Sequence, residues 1–324
     1  MKVIKKIKSV DKIFLLDNLF FYLCNKNQFC TYDEGEVQLC NINDFYIYNT
    51  KHFILKEDES SLFAYNMEDR KFEKILELDE EVIFFEPINK ETVIACINRE
   101  NKEYIAKYEK GYKRWEIAGQ PCYYNLLHDK IIFLRDDYDT KKITKLNVQT
   151  GKSLWSYTCP EGRKIEGNLY AYQEVLAFIE IDDNVQTTLV GLDIHSGEIL
   201  YKEVVGLIHY QQQGNKLYGF ASTTFGDNTY SEIDILKGEV YEKSFPNYKR
   251  NTVSHLATIK EDYLYYSIYK DGGIGIIDTK KKEIIKEEFL DIEDGIQIEA
   301  PVVTEDKIYI LDSEQVLHIY QRET

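Results

Sequence analysis

Lys145–Trp155 reads KLNVQTGKSLW, with apolar residues alternating into Thr150-Gly151 and resuming at Leu154 and Trp155. That pattern predicts two antiparallel strands joined by a tight polar turn. A single hairpin decides little, so its weight depends on recurrence. GLDIHSGEILY (Gly191–Tyr201), EIDILKGEVY (Glu232–Tyr241) and GIIDTKKKEII (Gly275–Ile285) repeat it. Fainter copies come earlier: CTYDEGEV from Cys30, FAYNMEDRKFEKIL from Phe63 and AKYEKGYKRW from Ala106. Two further apolar runs precede the hairpins, such as LLHDKIIFLRDD before Lys145 and LYAYQEVLAFIEID before Gly191. Four strands per unit at a period of about 40 residues is the mark of a propeller blade.

The hairpins align on Asp33, Asn66, Tyr108, Asn147, Asp193, Asp234 and Asp278. A last unit, KIYILDSEQVLHIYQRE from Lys307, lacks a fourth strand, and the N-terminal VIKKIKSV can supply it. The expectation is an all-β, single closed β-propeller of four-stranded blades. It has eight blades, with seven as the alternative, and the N-terminal strand joins the C-terminal blade. No Gly- or Pro-rich linker interrupts the series, and FPNYKRNT (Phe245–Thr252) reads as an inter-blade loop, so residues 1–324 are read as one domain. Both faces of a blade are apolar, as in IIFLR and YLYYSIY, and stacking buries them at roughly 25 cal/mol per Å². Ring closure by strand sharing also shields sheet edges.

Composition excludes several functions. The chain of 324 residues carries 40 Lys and Arg against 56 Asp and Glu, a formal charge of −16, so its field repels phosphate backbones and nucleic acid is not expected as a partner. Lysines precede an apolar run at the N-terminus, but Asp11, Lys12, Asp17 and Asn18 interrupt it and no small-residue cleavage site follows. No segment is long enough for a membrane span, and a cytoplasmic location is expected. The six cysteines (Cys24, Cys30, Cys40, Cys96, Cys122, Cys159) sit partly in strand-like runs and read as buried free thiols, with no C-x-x-C pair.

The hairpin pattern, Asp or Asn followed by Thr/Ser-Gly-Lys/Glu and closing on an apolar residue and Trp or Tyr, resembles the repeats of pyrroloquinoline-quinone-type propellers, the quinoprotein alcohol dehydrogenase-like superfamily. The match is good at Leu146–Trp155 and Leu192–Tyr201, fair at Ile233–Tyr241 and Ile277–Ile285, and weak before residue 105. The resemblance implies an eight-bladed fold in which Thr/Ser-Gly makes the turn and the closing aromatic packs between neighbouring blades. It implies little about function, because such blades serve many roles. Quinone enzymes of this type are expected to carry blade tryptophans throughout, a vicinal cysteine pair, a calcium held beside a catalytic Asp, and an export signal. This chain has Trp115 and Trp155 alone and no adjacent cysteines. It reads as a non-enzymatic member with no cofactor.

Other chemistries leave no motif. The histidines (His52, His128, His195, His209, His255, His318) are scattered without metal-site spacing, and His195 in a turn and His318 in a strand read as structural. There is no G-x-S-x-G and no P-loop, and DGGIG at Asp271–Gly275 reads as a hairpin turn.

Acid is gathered in loops. If the strands of each blade are A to D outward, the B–C loops share one end with the inter-blade connections. They carry Glu57, Asp58 and Glu59; Asp136, Asp137 and Asp139; Asp182 and Asp183; Asp227; Asp271; and Asp312 with Glu314. The connections add Asp79, Glu80, Glu81, Asp291, Glu293 and Asp294, whereas the C–D turns (EKGYKR, TGK, TKKK) are basic. Asp is also simply a good turn residue. Asp136-Asp137-Tyr138-Asp139 offers oxygen ligands but lacks an EF-hand's spacing, so no metal is expected. Most of the 26 tyrosines read as packing, with Tyr138 and Tyr248 as candidate anchors on the loop face. The expected function is non-catalytic capture of a basic protein through an acidic face, for example as an immunity-like inhibitor of a toxin or nuclease in a bacterial-type cytosol. The alternative is an enzyme or small-ligand binder, of lyase or glycan hydrolase type, with its site in the axial funnel.

Overall fold

A computed structural model describes the chain apart from residues 1–2, 17–18, 25–27, 32–36, 42–44, 48–52, 57–60, 67–70, 79, 81, 90, 101, 119–120, 128–130, 137–140, 223–227, 249, 294 and 323–324. Strand β1 (Val3–Ile7) opens the chain. The first sheet follows as β2 (Val10–Leu16), β3 (Leu19–Cys24), β4 (Gln28–Thr31) and β5 (Val37–Asn41). The second is β6 (Phe45–Ile47), β7 (Phe53–Lys56), β8 (Ser61–Asn66) and β9 (Lys71–Glu77). The third is β10 (Val82–Asn89), β11 (Thr92–Arg99), β12 (Lys102–Glu109) and β13 (Tyr112–Ala118), and the fourth β14 (Pro121–Leu127), β15 (Ile131–Asp136), β16 (Lys142–Asn147) and β17 (Ser153–Thr158). The fifth is β18 (Arg163–Tyr172), β19 (Val175–Asp182), β20 (Thr187–Asp193) and β21 (Ile199–Val205), and the sixth β22 (Gln211–Gln213), β23 (Lys216–Ser222), β24 (Asn228–Asp234) and β25 (Glu239–Phe245). The seventh is β26 (Thr252–Lys260), β27 (Tyr263–Ile268), β28 (Gly273–Asp278) and β29 (Glu283–Phe289). The last holds β30 (Val302–Val303), β31 (Lys307–Leu311) and β32 (Leu317–Gln321), and β1 is its fourth strand.

Seven sheets run in chain order and the last as β30, β31, β32 and β1, so the strands of each are A to D, and the hairpins quoted above are the C–D pairs. The chain ends meet as the sequence predicts: Lys5 opposes Ile319, Lys6 opposes His318 and Ile7 opposes Leu317. Residues 1–12 with 165–324 form one compact unit and residues 13–164 a second.

The repeated hairpin has a chemical cause. The side-chain oxygen of Asn147, Asp193, Asp234 or Asp278 accepts the N–H groups two and three residues on, at 2.6 to 3.3 Å. Its carbonyl accepts the N–H of the residue four on, at 2.7 to 2.9 Å. That fourth residue is left-handed: Gly151 (φ 68), Gly197 (φ 77), Gly238 (φ 70) and, as the exception, Lys282 (φ 58). Asx-capped turns with a residue at positive φ therefore fix both conserved positions of the pattern within this chain's own copies.

The closing aromatics do what the resemblance implied. Trp115 of β13 covers Gly151 in the next sheet's turn, and its Nε1 donates to the Val148 carbonyl at 2.8 Å. Tyr201 of β21 covers Gly238 likewise, and its hydroxyl donates to the Ile235 carbonyl at 2.5 Å. Both acceptors lie three residues before the covered glycine. In the next copy the Lys282 ammonium stands 3.4 Å from the Tyr241 ring centre, a cation–π contact at the same turn position.

Within each unit the core lies between successive sheets. Tyr170, Ala177 and Leu189 of the fifth sheet pack with Leu207, Tyr210, Leu217 and Ile233 of the connection and sheet that follow. Phe220 and Tyr230 meet Tyr266 and Ile277 in the same way, as do Ile94 and Ile105 with Leu146 and Val148 in the other unit. B and C strands are buried on both faces, as along β19 and β28, whereas the D strand β29 alternates exposed and half-buried. A fourth strand with one neighbour has less to bury.

Cys24, Cys30, Cys96 and Cys159 are buried thiols outside any disulfide; the side chains of Cys40 and Cys122 lie outside those described. Burial pushes the Cys96 thiol up to about 12, with Glu103 adding to the effect. Cys96 is therefore expected to stay unlabelled by a thiol reagent at pH 8 in the native protein and to react on denaturation, measured by mass spectrometry. Native labelling at the rate of a free thiol would contradict the packing of β11. Among the described residues no helix is long and apolar enough to cross a membrane.

Candidate functional site at the B–C turns

The B–C turns and the connections between sheets share one end of each sheet. Of the expected partner-binding residues, Asp182, Asp183, Asp271 and Asp312 are placed on it as the strand assignment requires. Asp136 ends β15, and its side chain is not described. Glu57, Asp58, Glu59, Asp137, Asp139 and Asp227 lie outside the described residues, as do Asp79, Glu81, Asp294 and Tyr138.

The placed carboxylates do different things. Asp182 accepts the N–H groups of Asn184 and Gln186 at 3.0 and 2.8 Å. Asp312 accepts those of Glu314 and Val316 at 3.0 and 2.9 Å. In both turns the residue three positions on is left-handed, Val185 (φ 66) and Gln315 (φ 59). The two turns are thus one device, and their leading aspartates are its caps. Asp312 is 4% exposed, and its other oxygen meets His318 Nε2 at 2.7 Å inside the sheet that joins the chain ends. Direct contact with a partner is closed to it. Asp183 is exposed. Asp271 is exposed and meets the Arg250 guanidinium at 3.4 Å.

Other acids are consumed internally. Glu80 lies among Tyr108, Arg99 and Lys113, and Glu116 shares both cations. Burial works against ionising Glu80, but hydrogen bonds from Tyr108, Arg99 and Lys113 outweigh it and hold its carboxyl below the ordinary range. Tyr248 is not an exposed anchor: its hydroxyl bonds to those of Tyr266 and to Glu287, and its ring packs against Phe220.

The opposite end is less basic than the C–D turns alone suggest. A–B turns lie beside them and bring Glu91, Glu174, Glu261, Asp262, Glu305 and Asp306. Several pair across: Lys110 with Glu91 at 3.4 Å, His195 with Glu174 at 3.6 Å, and Lys280 with Asp262. Reading the hairpins without the A–B turns overstated the contrast between the two ends.

A cleft of about 540 Å³ opens at the B–C end of the seventh sheet, lined by Arg250, Lys270, Asp271, Phe289, Ile292, Glu293, Gly295 and Ile296. Arg250 stacks over the Phe289 ring at 4.9 Å. A Cβ at Gly272 would lie 2.4 Å from Ile292 Cδ1, so a glycine there lets the connection close over the turn. Sequence reasoning missed this site because it draws on FPNYKRNT, the DGGIG turn and the DIED connection at once. Among the described residues no three His, Cys, Asp or Glu side chains are grouped to hold a metal ion.

No protein-family model matches the sequence, and no curated protein matches it. Solved structures do match in shape. BamB from Moraxella catarrhalis aligns with a TM-score of 0.66 at 17% identity, over 99% of this chain and 99% of that one. The computationally designed Ika8 protein aligns with a TM-score of 0.66 at 11% identity, over 97% and 96%. Sqt1 of Saccharomyces cerevisiae aligns with a TM-score of 0.63 at 12% identity, over 99% and 97%. At these identities the likeness speaks for fold alone, and with the repeated four-stranded antiparallel sheets it makes this chain an all-β protein of the β-propeller fold.

Proposed function

We propose that the chain is a non-catalytic, cytosolic protein-binding propeller, one domain over residues 1–324, that captures a basic partner through its B–C turns. An immunity-like inhibitor of a cationic toxin or nuclease is the concrete form. The observation that carries the reading is the tip of the β19–β20 turn. Val185, an apolar β-branched residue, is 53% exposed and held at φ 66 two residues after the exposed Asp183. L-residues avoid that conformation, and a strained, exposed apolar side chain beside a carboxylate suits contact better than stability. The net charge of −16 would speed the approach of a cationic surface.

Three measurements test it. Val185→Gly is expected to raise stability by roughly 1 kcal/mol through relief of backbone strain while weakening partner capture. Capture from host extract should also fall steeply as ionic strength rises from about 0.1 M to about 1 M, where screening length drops from about 10 to 3 Å. Replacing Asp136, Asp137 and Asp139 together by Asn should weaken capture and leave the melting temperature in place. Salt-insensitive capture by a fully active triple variant would remove the acidic-face reading.

A further inference from the structure

The cleft at the seventh sheet does not share the acidity of the chain around it. Two of its eight lining residues are cations, Arg250 and Lys270, and three are apolar, Phe289, Ile292 and Ile296. Arg250 carries five N–H donors. Its bond to Asp271 is a single contact from Nη1 at 3.4 Å, and stacking on Phe289 holds the guanidinium plane in place. The side chain is 45% exposed, so the remaining donors are open to a ligand. Lys270 is exposed on the same turn, one residue before Asp271. Gly295, at φ 90, has no described heavy atom beyond its chain neighbours within 4 Å of where a Cβ would stand, so the described residues leave that side of the cleft open. The volume of about 540 Å³ falls in the range of roughly 300–1,000 Å³ typical of ligand sites.

These features recognise different parts of one kind of molecule. A fixed guanidinium and an ammonium select a carboxylate, and the fork of Arg250 can take it by two parallel bonds. Phe289, Ile292 and Ile296 offer a surface for an aliphatic side chain, and the carboxylates of Asp271 and Glu293 accept N–H groups. A peptide ending in an aliphatic residue with a free C-terminal carboxylate presents all three, and a free aliphatic amino acid presents them in smaller compass. We propose that this cleft binds the α-carboxylate of such a C-terminal residue, with Arg250 and Lys270 as its anion-binding groups.

The test uses the full chain and three probes: N-acetyl-Ala-Leu as the free acid, the same peptide as its C-terminal amide, and free leucine, each titrated by calorimetry. The free acid is expected to bind at least about tenfold more tightly than the amide, the loss of a charge-assisted bond. Arg250→Gln and the surface variant Lys270→Gln should each bring the acid down toward the amide, with unchanged melting of the Lys270 variant excluding misfolding. Free leucine matching the peptide would assign the ligand to free amino acids, and a much weaker leucine would assign it to chain termini. Equal binding of acid and amide, or no saturation of the acid below about 10 mM, overturns the proposal. None of these outcomes depends on whether the B–C turns capture a basic protein.

Discussion

Replacing Tyr201 by alanine is expected to destabilise the protein by about 2–4 kcal/mol, somewhat below the range for a fully buried aromatic because the ring is half-buried. The ring stands opposite Gly191 on its own sheet, where a Cβ would lie 2.2 Å from it, and against Gly238 on the next, where a Cβ would lie 2.6 Å from it. Its hydroxyl also satisfies the Ile235 carbonyl. One side chain thus ties two sheets together through packing and a hydrogen bond. Gly238→Ala should also destabilise, for two reasons that a double variant separates. The alanine strains the backbone at φ 70 and collides with the ring. With Tyr201 already alanine the collision vanishes and the strain stays, so the two costs should fall short of additivity in chemical denaturation. Additive costs would mean that the ring does not sit on the turn.

Asp312→Ala is the second large effect, about 3–5 kcal/mol, as expected when one member of a buried pair is removed. The substitution strips an acceptor from the N–H groups of Glu314 and Val316 and leaves His318 Nε2 without its carboxylate. His318 Nδ1 already lacks a partner among the described residues, so the ring would be buried with neither nitrogen satisfied. Asp312→Asn keeps an oxygen for the turn and should cost distinctly less. Equal stability of wild type and Asp312→Ala in denaturant titration would show that the turn is held by other contacts.

Much of the architecture is legible because the information is local. Asn147, Asp193, Asp234 and Asp278 cap turns a few residues long, and β-strand alternation either side of them follows from the same short window. The sharing of a sheet by the two ends was also readable, since the last unit was one strand short and the first residues were one strand over. The candidate site was read less well. Acid in the B–C turns was visible, but whether a given carboxylate faces solvent is set by partners elsewhere in the chain. Asp182 and Asp312 spend theirs on their own turns, and Glu80 spends its own on Arg99 and Lys113. Tyr248 packs inward because Tyr266 and Glu287, far off in sequence, offer it hydrogen bonds. The cleft with Arg250 and Lys270 had no local signature.

The repeat is completed across the chain ends, with β1 as the outer strand of the sheet formed by β30, β31 and β32. Amide hydrogen exchange followed residue by residue tests this directly, because an unpaired terminal segment exchanges within the dead time whereas a sheet strand is protected. Slow exchange at amides of Val3–Ile7, lost in step with that of Leu317–Gln321 when denaturant is added, is the predicted result. Free exchange across Val3–Ile7 while Leu317–Gln321 stays protected would contradict it.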